Sequence, residues 1–446
     1  MHDVGAGFFP FGPISPAFAG LDLGVRWLHT GLDSAHPGPD GACPSLGRDL
    51  EAAMRSFGPD GEALGQMVRW FKACREELVP ALLATPMPVL RMLGVGVDNM
   101  LTFSALALQS GRSLSEGKFT TAAARRVIPA LGLHADVGPD DPLGAAVGLM
   151  LAMLACDTGF GVAAGGAGAI TDALADVVRK HGGQIQCNER VTEVIVRQGR
   201  AVAVKTASGL EVEVTRAVLA DVSAPALYLK MLGKDEVPGF VRRSMSRFPQ
   251  GWGTFKVDWA LSGEVPWTSP EARRAAVVHT GDSLDDLANF TAEVRASKLP
   301  SNPYLVLGQQ SLADRSRAPA GCHTLYSYTH APSFMPGGWE AHREQLADRV
   351  EQRIEALAPG FRGRILDRAI HDPVDLERVD ENLIGGDLGG GTAAITHQFF
   401  LRPVFPYFRY RTPVTGLYLC SSYAHPGTGV HGACGYNAAL AAMADA

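Results

Sequence analysis

No two of the chain's seven cysteines are spaced C-x-x-C: Cys43, Cys74, Cys156, Cys187, Cys322, Cys420 and Cys434 are scattered and odd in number. That spacing argues against a zinc ribbon and a redox-active dithiol, and for reduced thiols used as small core residues. Basic residues are also short, 40 Lys and Arg against 46 Asp and Glu for a net charge of -6, with no dense Lys/Arg cluster. A nucleic-acid partner is therefore not expected. Long hydrophobic runs are missing too. The longest, residues 143–156, is too short to span a bilayer and reads as a buried element. No charged n-region followed by an apolar h-region opens the chain, so no secretory signal is expected and a soluble, cytoplasmic protein is the default. The phosphate-loop and H-E-x-x-H patterns are absent, and no G-x-S-x-G elbow surrounds Ser421 and Ser422, which removes support for nucleophilic hydrolysis.

What is present is length, apolarity and turn residues. The chain's 446 residues are 46% hydrophobic and only 19% charged, with 51 Gly and 29 Pro spread throughout. This composition fits an α/β enzyme of two or three domains with many tight connections. Residues 42–135 read as mainly helical, in short amphipathic pieces such as Leu64 to Leu78 broken by Pro80, Pro86 and Pro88. In "GGAGAITDALADVVRKHGG", Ile170, Leu174, Val177 and Val178 share one helical face and Gly182 and Gly183 end the helix. "RVTEVIV", "AVAVKTA" and "LEVEV" alternate apolar and polar residues around Gly199 and Gly209, the pattern of a three-stranded meander, and "RAVLAD" reads as a short buried strand. Strand-like runs follow at 253–262 and 304–329, then a helix over 339–358 with Leu346, Val350, Ile354 and Leu357 on one face. The chain closes on strand "GLYLCSS", loop "YAHPGTGVHG" and helix "YNAALAAMADA".

Two glycine patterns imitate dinucleotide fingerprints and fail on context. Gly5-x-Gly7 has only four residues before it and Pro10, Pro13 and Pro16 after it, so neither the strand nor the helix of a phosphate loop is available. Gly159 to Ala164 matches G-x-G-x-x-A, but four further residues precede the periodic helix and the expected carboxylate falls in a turn near Glu189. His397, His425 and His431 lack the close carboxylate or thiolate companion that a metal site requires, so they read as loop histidines beside a ligand. The remaining signal is the last block. Gly427, Gly429 and Gly432 let backbone approach a planar ligand, and the following helix start stabilises negative charge, such as that on the pyrimidine edge of a reduced flavin.

With "HDVGAGFF", "GGAGAITDALADVVRKHGGQIQCNERVTEVIV", "RAVLADVSAPALYL", "QFFLRP" and "GLYLCSSYAHPGTGVHGACGYNAA" in order, the sequence resembles the phytoene desaturase-related flavoproteins. Its branch most resembles the pyridine nucleotide-disulfide oxidoreductase domain-containing protein 2 group. The resemblance implies an α/β fold: a discontinuous, Rossmann-like FAD/NAD(P)-binding domain interleaved with a substrate domain of mixed sheet and helices. The corresponding segments are 1–20, 161–235 and 381–446 for FAD binding, and 21–160 and 236–380 for substrate. It implies FAD as cofactor and hydride transfer from a small hydrophobic organic substrate, with an amine-oxidase-like action on a C–N bond or a flavin-free binding protein as alternatives. Contact with a membrane surface is left open.

Carried over by position, Val191 would meet the adenine through its backbone and Gly166 and Gly168 would support the FAD domain. Ser421 and Ser422 would lie near the ribityl phosphate, and His425, Pro426, Gly427, Gly429, Val430 and Gly432 would line the isoalloxazine. No catalytic acid or base stands out, as the cofactor carries the hard chemistry. Two departures accompany the resemblance. Ser421 and Tyr423 stand where the family often has glycine. In addition, the family's first βαβ unit, with its G-x-G-x-x-G, is not found before "HDVGAGFF", so the chain is expected to be incomplete at its N-terminus. Losing two or three charge-assisted bonds to a pyrophosphate would cost about 4 to 6 kcal/mol of FAD affinity, and a missing central strand would leave sheet edges unpaired.

Overall fold

The computed structural model describes residues 1–86, 88–142 and 144–445, among which fourteen strands form four sheets. In chain order they are β1 (Trp27–Leu28), β2 (Leu32–Ala35), β3 (Ser45–Leu46), β4 (Val162–Ala163), β5 (Val191–Arg197), β6 (Arg200–Thr206), β7 (Glu211–Glu213), β8 (Val218–Ala220), β9 (Gly253–Leu261), β10 (Ala275–His279), β11 (Val306–Gly308), β12 (His323–Ala331), β13 (Ile365–His371) and β14 (Leu417–Leu419). The largest sheet runs β13-β9-β12-β11-β10-β2-β3 and is antiparallel except where β10 meets β2.

The two-residue period of this sheet decides what each face carries. On β9, Phe255, Val257, Trp259 and Leu261 are fully buried and pack with Leu346, Val350 and Ile354 of the helix Arg343–Leu357. Its alternate positions are Thr254, Lys256 and Asp258, and those of β12 are Tyr326, Tyr328 and His330. These polar and aromatic residues point to the opposite side, where the cavity described below lies.

The second unit is an α/β assembly with a Rossmann-like helix and sheet core. The helix Gly168–Lys180 precedes the antiparallel meander β5-β6-β7, and β8 lies parallel to β14, which leads through a glycine loop into the helix Ala433–Ala444. The meander, both flanking helices and the closing strand, loop and helix follow the sequence pattern. Three details differ. The helix Gly61–Leu83 runs through Pro80 instead of stopping before it, since only one backbone donor is lost close to its end while Val79, Ala81 and Leu83 remain buried. β8 is not buried: Leu219 is 42% exposed, and among the described residues β8 pairs with a strand on one side only. The apolar face of helix Gly168–Lys180 is buried at Ile170 and half-buried at Leu174 and Val177, and Val178 is 43% exposed.

The apolar run at 143–156 forms the buried helix Ala145–Ala155, Leu143 lying outside the described residues. No single described helix is long and apolar enough to cross a membrane. One pair, Val89–Val95 and Val97–Ala107, is apolar but bent by 95°.

Candidate functional site

Between the two units lies a cavity of about 1060 Å³, at the upper end of small-molecule pockets. Four parts of the chain wall it. The N-terminal segment contributes Val4 to Phe8, Pro10 and Phe11, and the large sheet contributes Thr254, Lys256, Tyr326 and Tyr328. The helical region adds an apolar side that includes Leu82, Phe103, Leu108 and Met150, and the C-terminal loop adds Ser422 and much of 425–431. Gly7 is closely packed, since a Cβ there would come within 2.2 Å of Gln310 Nε2 and that side chain would have to move, whereas Gly5 has open space around it.

The predicted site residues fall into two groups. Ser422, His425, Pro426, Gly429 and Val430 line the cavity. Gly427 and Gly432 support that wall from behind: a Cβ on Gly427 would meet the Arg402 guanidinium at 3.1 Å, and one on Gly432 would meet the Phe18 ring at 2.7 Å. Both have positive φ, as has Gly429 at 136°. Ser421 turns away and donates to the Val222 carbonyl at 2.7 Å, tying the loop to the end of β8. Gly166, Gly168 and Val191 do not border the cavity. Gly166, with φ 108°, sits against Asp3 and Arg317; Gly168 opens its helix; and Val191 pairs with Thr206 in the meander. The Gly159 to Ala164 stretch forms structural contacts, Phe160 donating to Asp33 at 2.7 Å and Gly161 bridging to Phe9.

Charge in the cavity is uneven. Arg402 is 2% exposed and forms no ion pair among the described residues. Its guanidinium donates instead to carbonyls: Ser422 at 2.7 Å, Gly390 at 2.8 Å, Gly389 at 3.1 Å and Thr392 at 3.3 Å. Nearby, His431 donates no bond from its buried Nε2, while its Nδ1 accepts from the Ala433 amide at 3.0 Å. The start of helix Ala433–Ala444 lies at the same place and adds the positive end of a twelve-residue helix. A guanidinium without a direct ion pair, though within the field of Asp387 and Asp136, an imidazole nitrogen without a partner and a helix N-terminus, beside glycines that bring backbone close, suit a planar group carrying negative charge on one edge. Burial, and for His425 the Arg402 charge, pull the imidazoles of His425 and His431 down to about 4, so both are neutral near pH 7.

Across the cavity, Lys256 is buried and paired with Asp258, and its ammonium lies 5.6 Å from the Tyr326 ring centroid. Burial pulls the lysine below its ordinary value against the opposing pull of Asp258. Burial likewise raises the carboxyl of Asp136, although Thr392 and the Ala393 amide donate to it. None of Arg402, Lys256, Asp136, His134, Tyr326 and Tyr328 is marked by a motif. A signal was present in β9, where Lys256 and Asp258 share the inner face of an otherwise apolar strand, and in "QFFLRP", which contains Arg402.

No family model matches the chain. The rat (Rattus norvegicus) protein called pyridine nucleotide-disulfide oxidoreductase domain-containing protein 2 is 35% identical over 289 residues, which cover 62% of this chain and 49% of the rat protein. A lycopene-forming phytoene desaturase from Pseudescherichia vulneris is 26% identical over 279 residues, 60% of this chain and 52% of its own length. The chain thus spans about half the length of the curated relatives it matches. Among solved structures, an oxidoreductase from Methanosarcina mazei superposes with a TM-score of 0.62 at 13% identity, over 98% of this chain and 87% of that one. Cyclohexylamine oxidase from Brevibacterium oxydans gives 0.53 at 13% identity, over 99% and 88%. The sequence likenesses relate the chain to the flavin- and NAD(P)-binding oxidoreductase superfamily that includes the phytoene desaturases, in no one family of it, and the solved structures share its fold.

Proposed function

We propose that the cavity is the substrate and ring site of an FAD-dependent oxidoreductase that oxidises the C–N bond of an apolar amine. The observation that carries this reading is the cavity's construction: an anion-favouring edge made by Arg402, His431 and the helix start at Ala433, facing an aromatic wall of Tyr326, Tyr328 and Phe8. A flavin bound there supplies the hydride acceptor. The residues fit its ring: the Gly427 to Gly432 backbone would hold it, and Arg402 and the helix start would favour negative charge on its edge. The cavity's charged side chains are Lys256, Arg295 and Arg402 against Asp136 and Asp141. Lys256 is paired with Asp258 and Arg295 with Asp141, so the lining carries little net charge, and its mainly apolar walls favour the uncharged amine, the form whose α-carbon can release hydride. The structural likeness to cyclohexylamine oxidase supports the same reading.

The test is anaerobic mixing of the full-length, flavin-loaded protein with cyclohexylamine and, separately, with an isoprenoid polyene. Bleaching of the flavin by the amine is expected. Bleaching by the polyene alone would move the reading to C–C desaturation, and a protein that takes up no FAD would remove it. Gly429→Val, which introduces a Cβ within 2.8 Å of the His431 ring at a φ of 136°, is expected to weaken FAD retention on the order of tenfold to a hundredfold. Unchanged retention would take Gly429 out of the ring site.

Desaturation of a lipid-like substrate is a second reading, favoured by the phytoene desaturase likeness and by the bent helix pair at the cavity. Leu90 (85% exposed), Leu93, Val97 and Leu101 project from that pair to the outside, while Phe103, Ala107 and Leu108 reach the cavity. An apolar surface continuous with an apolar pocket supports contact with a lipid surface from which substrate enters. Each exposed leucine buried in lipid is worth roughly 1.5 to 3 kcal/mol. The double variant L90D/L93D is therefore expected to lose at least about tenfold in co-sedimentation with phosphatidylcholine vesicles. Equal sedimentation of both proteins would argue against this contact.

A further inference from the structure

Five polar side chains from four separate parts of the chain, two half-buried at the cavity and three buried behind them, form one hydrogen-bonded line that begins at the cavity. Tyr328 on β12 and His134, two residues beyond the helix Val127–Gly132, both border the cavity. Tyr328 Oη lies 2.8 Å from His134 Nδ1, and His134 Nε2 lies 2.7 Å from His279 Nε2 at the end of β10. His279 Nδ1 is 3.0 Å from Ser34 Oγ on β2, the neighbour of β10 in the sheet, and Ser34 Oγ is 2.9 Å from His36 Nε2. The His36 and His279 rings stack at 4.8 Å with 12° between their planes. His279, Ser34 and His36 are at most 2% exposed. His36 stands three residues before the exposed Pro39, in the surface turn closed by Gly38 and Gly41.

The hydrogen count gives this line a definite property. A neutral imidazole has one N–H and one lone pair, and each hydroxyl has one hydrogen, so five hydrogens serve four contacts. Only two arrangements satisfy every contact with the Ser34 hydroxyl donating within the line. In one, Tyr328 donates to His134, His134 to His279, His279 to Ser34 and Ser34 to His36, and the N–H of His36 points out of the line. In the other, every bond is reversed and the Tyr328 hydroxyl hydrogen points into the cavity.

We propose that Tyr328, His134, His279, Ser34 and His36 are a proton relay, which accepts a proton from a ligand in the cavity at Tyr328 Oη and releases one to water from His36 Nδ1. As the ligand's proton reaches Tyr328 Oη, the phenol hydrogen passes to His134 Nδ1. The Nε2 hydrogen of His134 passes to His279, the Nδ1 hydrogen of His279 to Ser34, and the Ser34 hydrogen to His36 Nε2. One proton enters and one leaves, no electrons move, and every member is neutral before and after. Burial keeps the imidazoles uncharged: His36 and His134 are pulled down to about 3, with Arg126 adding to the effect at His36 and His330 at His134, and His279 is lowered as well. The role rests on the proposed oxidation only in that removing hydride from a carbon leaves an acidic hydrogen on its neighbour, and the relay gives that hydrogen a way out of a closed cavity.

Imidazole ¹⁵N chemical shifts of the full-length protein test the relay without any cofactor. In the wild type, both ring nitrogens of His134 and of His279 are expected between the N–H and lone-pair positions, because the two arrangements exchange. Ser34→Ala removes the acceptor for His279 Nδ1–H, and an N–H without an acceptor is avoided. The hydrogen of His279 should then shift to Nε2. Tyr328→Phe, which retains the ring stacked on Tyr326 at 6.5 Å, removes the acceptor for His134 Nδ1–H and should shift the hydrogen of His279 to Nδ1. Opposite shifts at His279 in the two variants support the relay; unchanged tautomers in both would overturn it. If flavin is taken up and reduced by amine while the tautomers stay fixed, the relay falls and the oxidoreductase reading stands. If no flavin is bound but the opposite shifts are seen, the relay stands and that reading falls.

Discussion

Replacing Arg402 with methionine is expected to lower the free energy of unfolding by about 2 kcal/mol, which urea denaturation of the wild type and variant would measure. Two effects oppose each other. Removing a buried cation that lacks a carboxylate partner relieves a desolvation cost of several kcal/mol. Against this, the carbonyls of Ser422, Gly390, Gly389 and Thr392 all take hydrogen bonds from the guanidinium. Gly389 and Thr392 keep second donors in Thr428 Oγ1 and Gln398 Nε2, so the carbonyls of Ser422 and Gly390 are the two left unsatisfied, at roughly 1 to 3 kcal/mol each, and their loss exceeds the partial relief by about 2 kcal/mol. Methionine fills the volume of the arginine stem, so the loss reports the polar contacts. Arg402→Lys should recover only part of it, because one ammonium presents three donors from a single point and not a planar fork. A loss under about 1 kcal/mol would mean that the carbonyls find other partners and that Arg402 does not organise the loop.

Acid is expected to destabilise the protein well before carboxylates titrate. His36 is pulled down to about 3, and His425 and His431 to about 4, chiefly by burial, and all three are at most 7% exposed. The ordinary histidine value governs the unfolded chain. Above that value both states are neutral and the histidines contribute nothing to the pH dependence. Below it the unfolded chain binds protons that the folded protein refuses, so stability falls as pH drops. At pH 5 each histidine accounts for a loss on the order of 2 kcal/mol, and the three together for on the order of 6 kcal/mol. That is comparable with the whole stability of many domains. Unfolding free energies at pH 7 and pH 5 would measure the loss, and His425→Asn should reduce it by about a third. Equal stability at the two pH values would show that these imidazoles accept protons in the folded state.

The sequence was legible where structure depends on neighbours in the chain. The meander follows from alternation around Gly199 and Gly209, the helix Arg343–Leu357 from one apolar stripe, and the C-terminal loop from its glycines between a strand and a helix. Five residues singled out in that last block, Ser422, His425, Pro426, Gly429 and Val430, border the cavity. The opposite wall was not legible, because its residues meet only through the sheet. Tyr328 and His134 are 194 positions apart, and Ser34 and His279 are 245 apart. No spacing rule connects such pairs, and each taken alone reads as an ordinary core tyrosine, histidine or serine. Pro80 was misleading for a different reason: tertiary burial of the residues around it overrides the local preference of proline to end a helix.

The cavity's construction also bears on how the chain folds. Ser15 donates to the His431 carbonyl across 416 positions, Phe11 meets the His431 ring edge-on at 6.1 Å, and Gly432 packs against Phe18. One wall therefore comes from the first eighteen residues and the facing loop from the last twenty-five. During synthesis the early segment must wait, without its partner, until the C-terminal loop leaves the ribosome. At roughly 5 to 20 residues per second, some 400 intervening residues make that wait on the order of 20 to 80 seconds. Closing so long a loop is among the slower kinds of folding event, so the cavity is complete only after this loop has been made and has docked on the early segment.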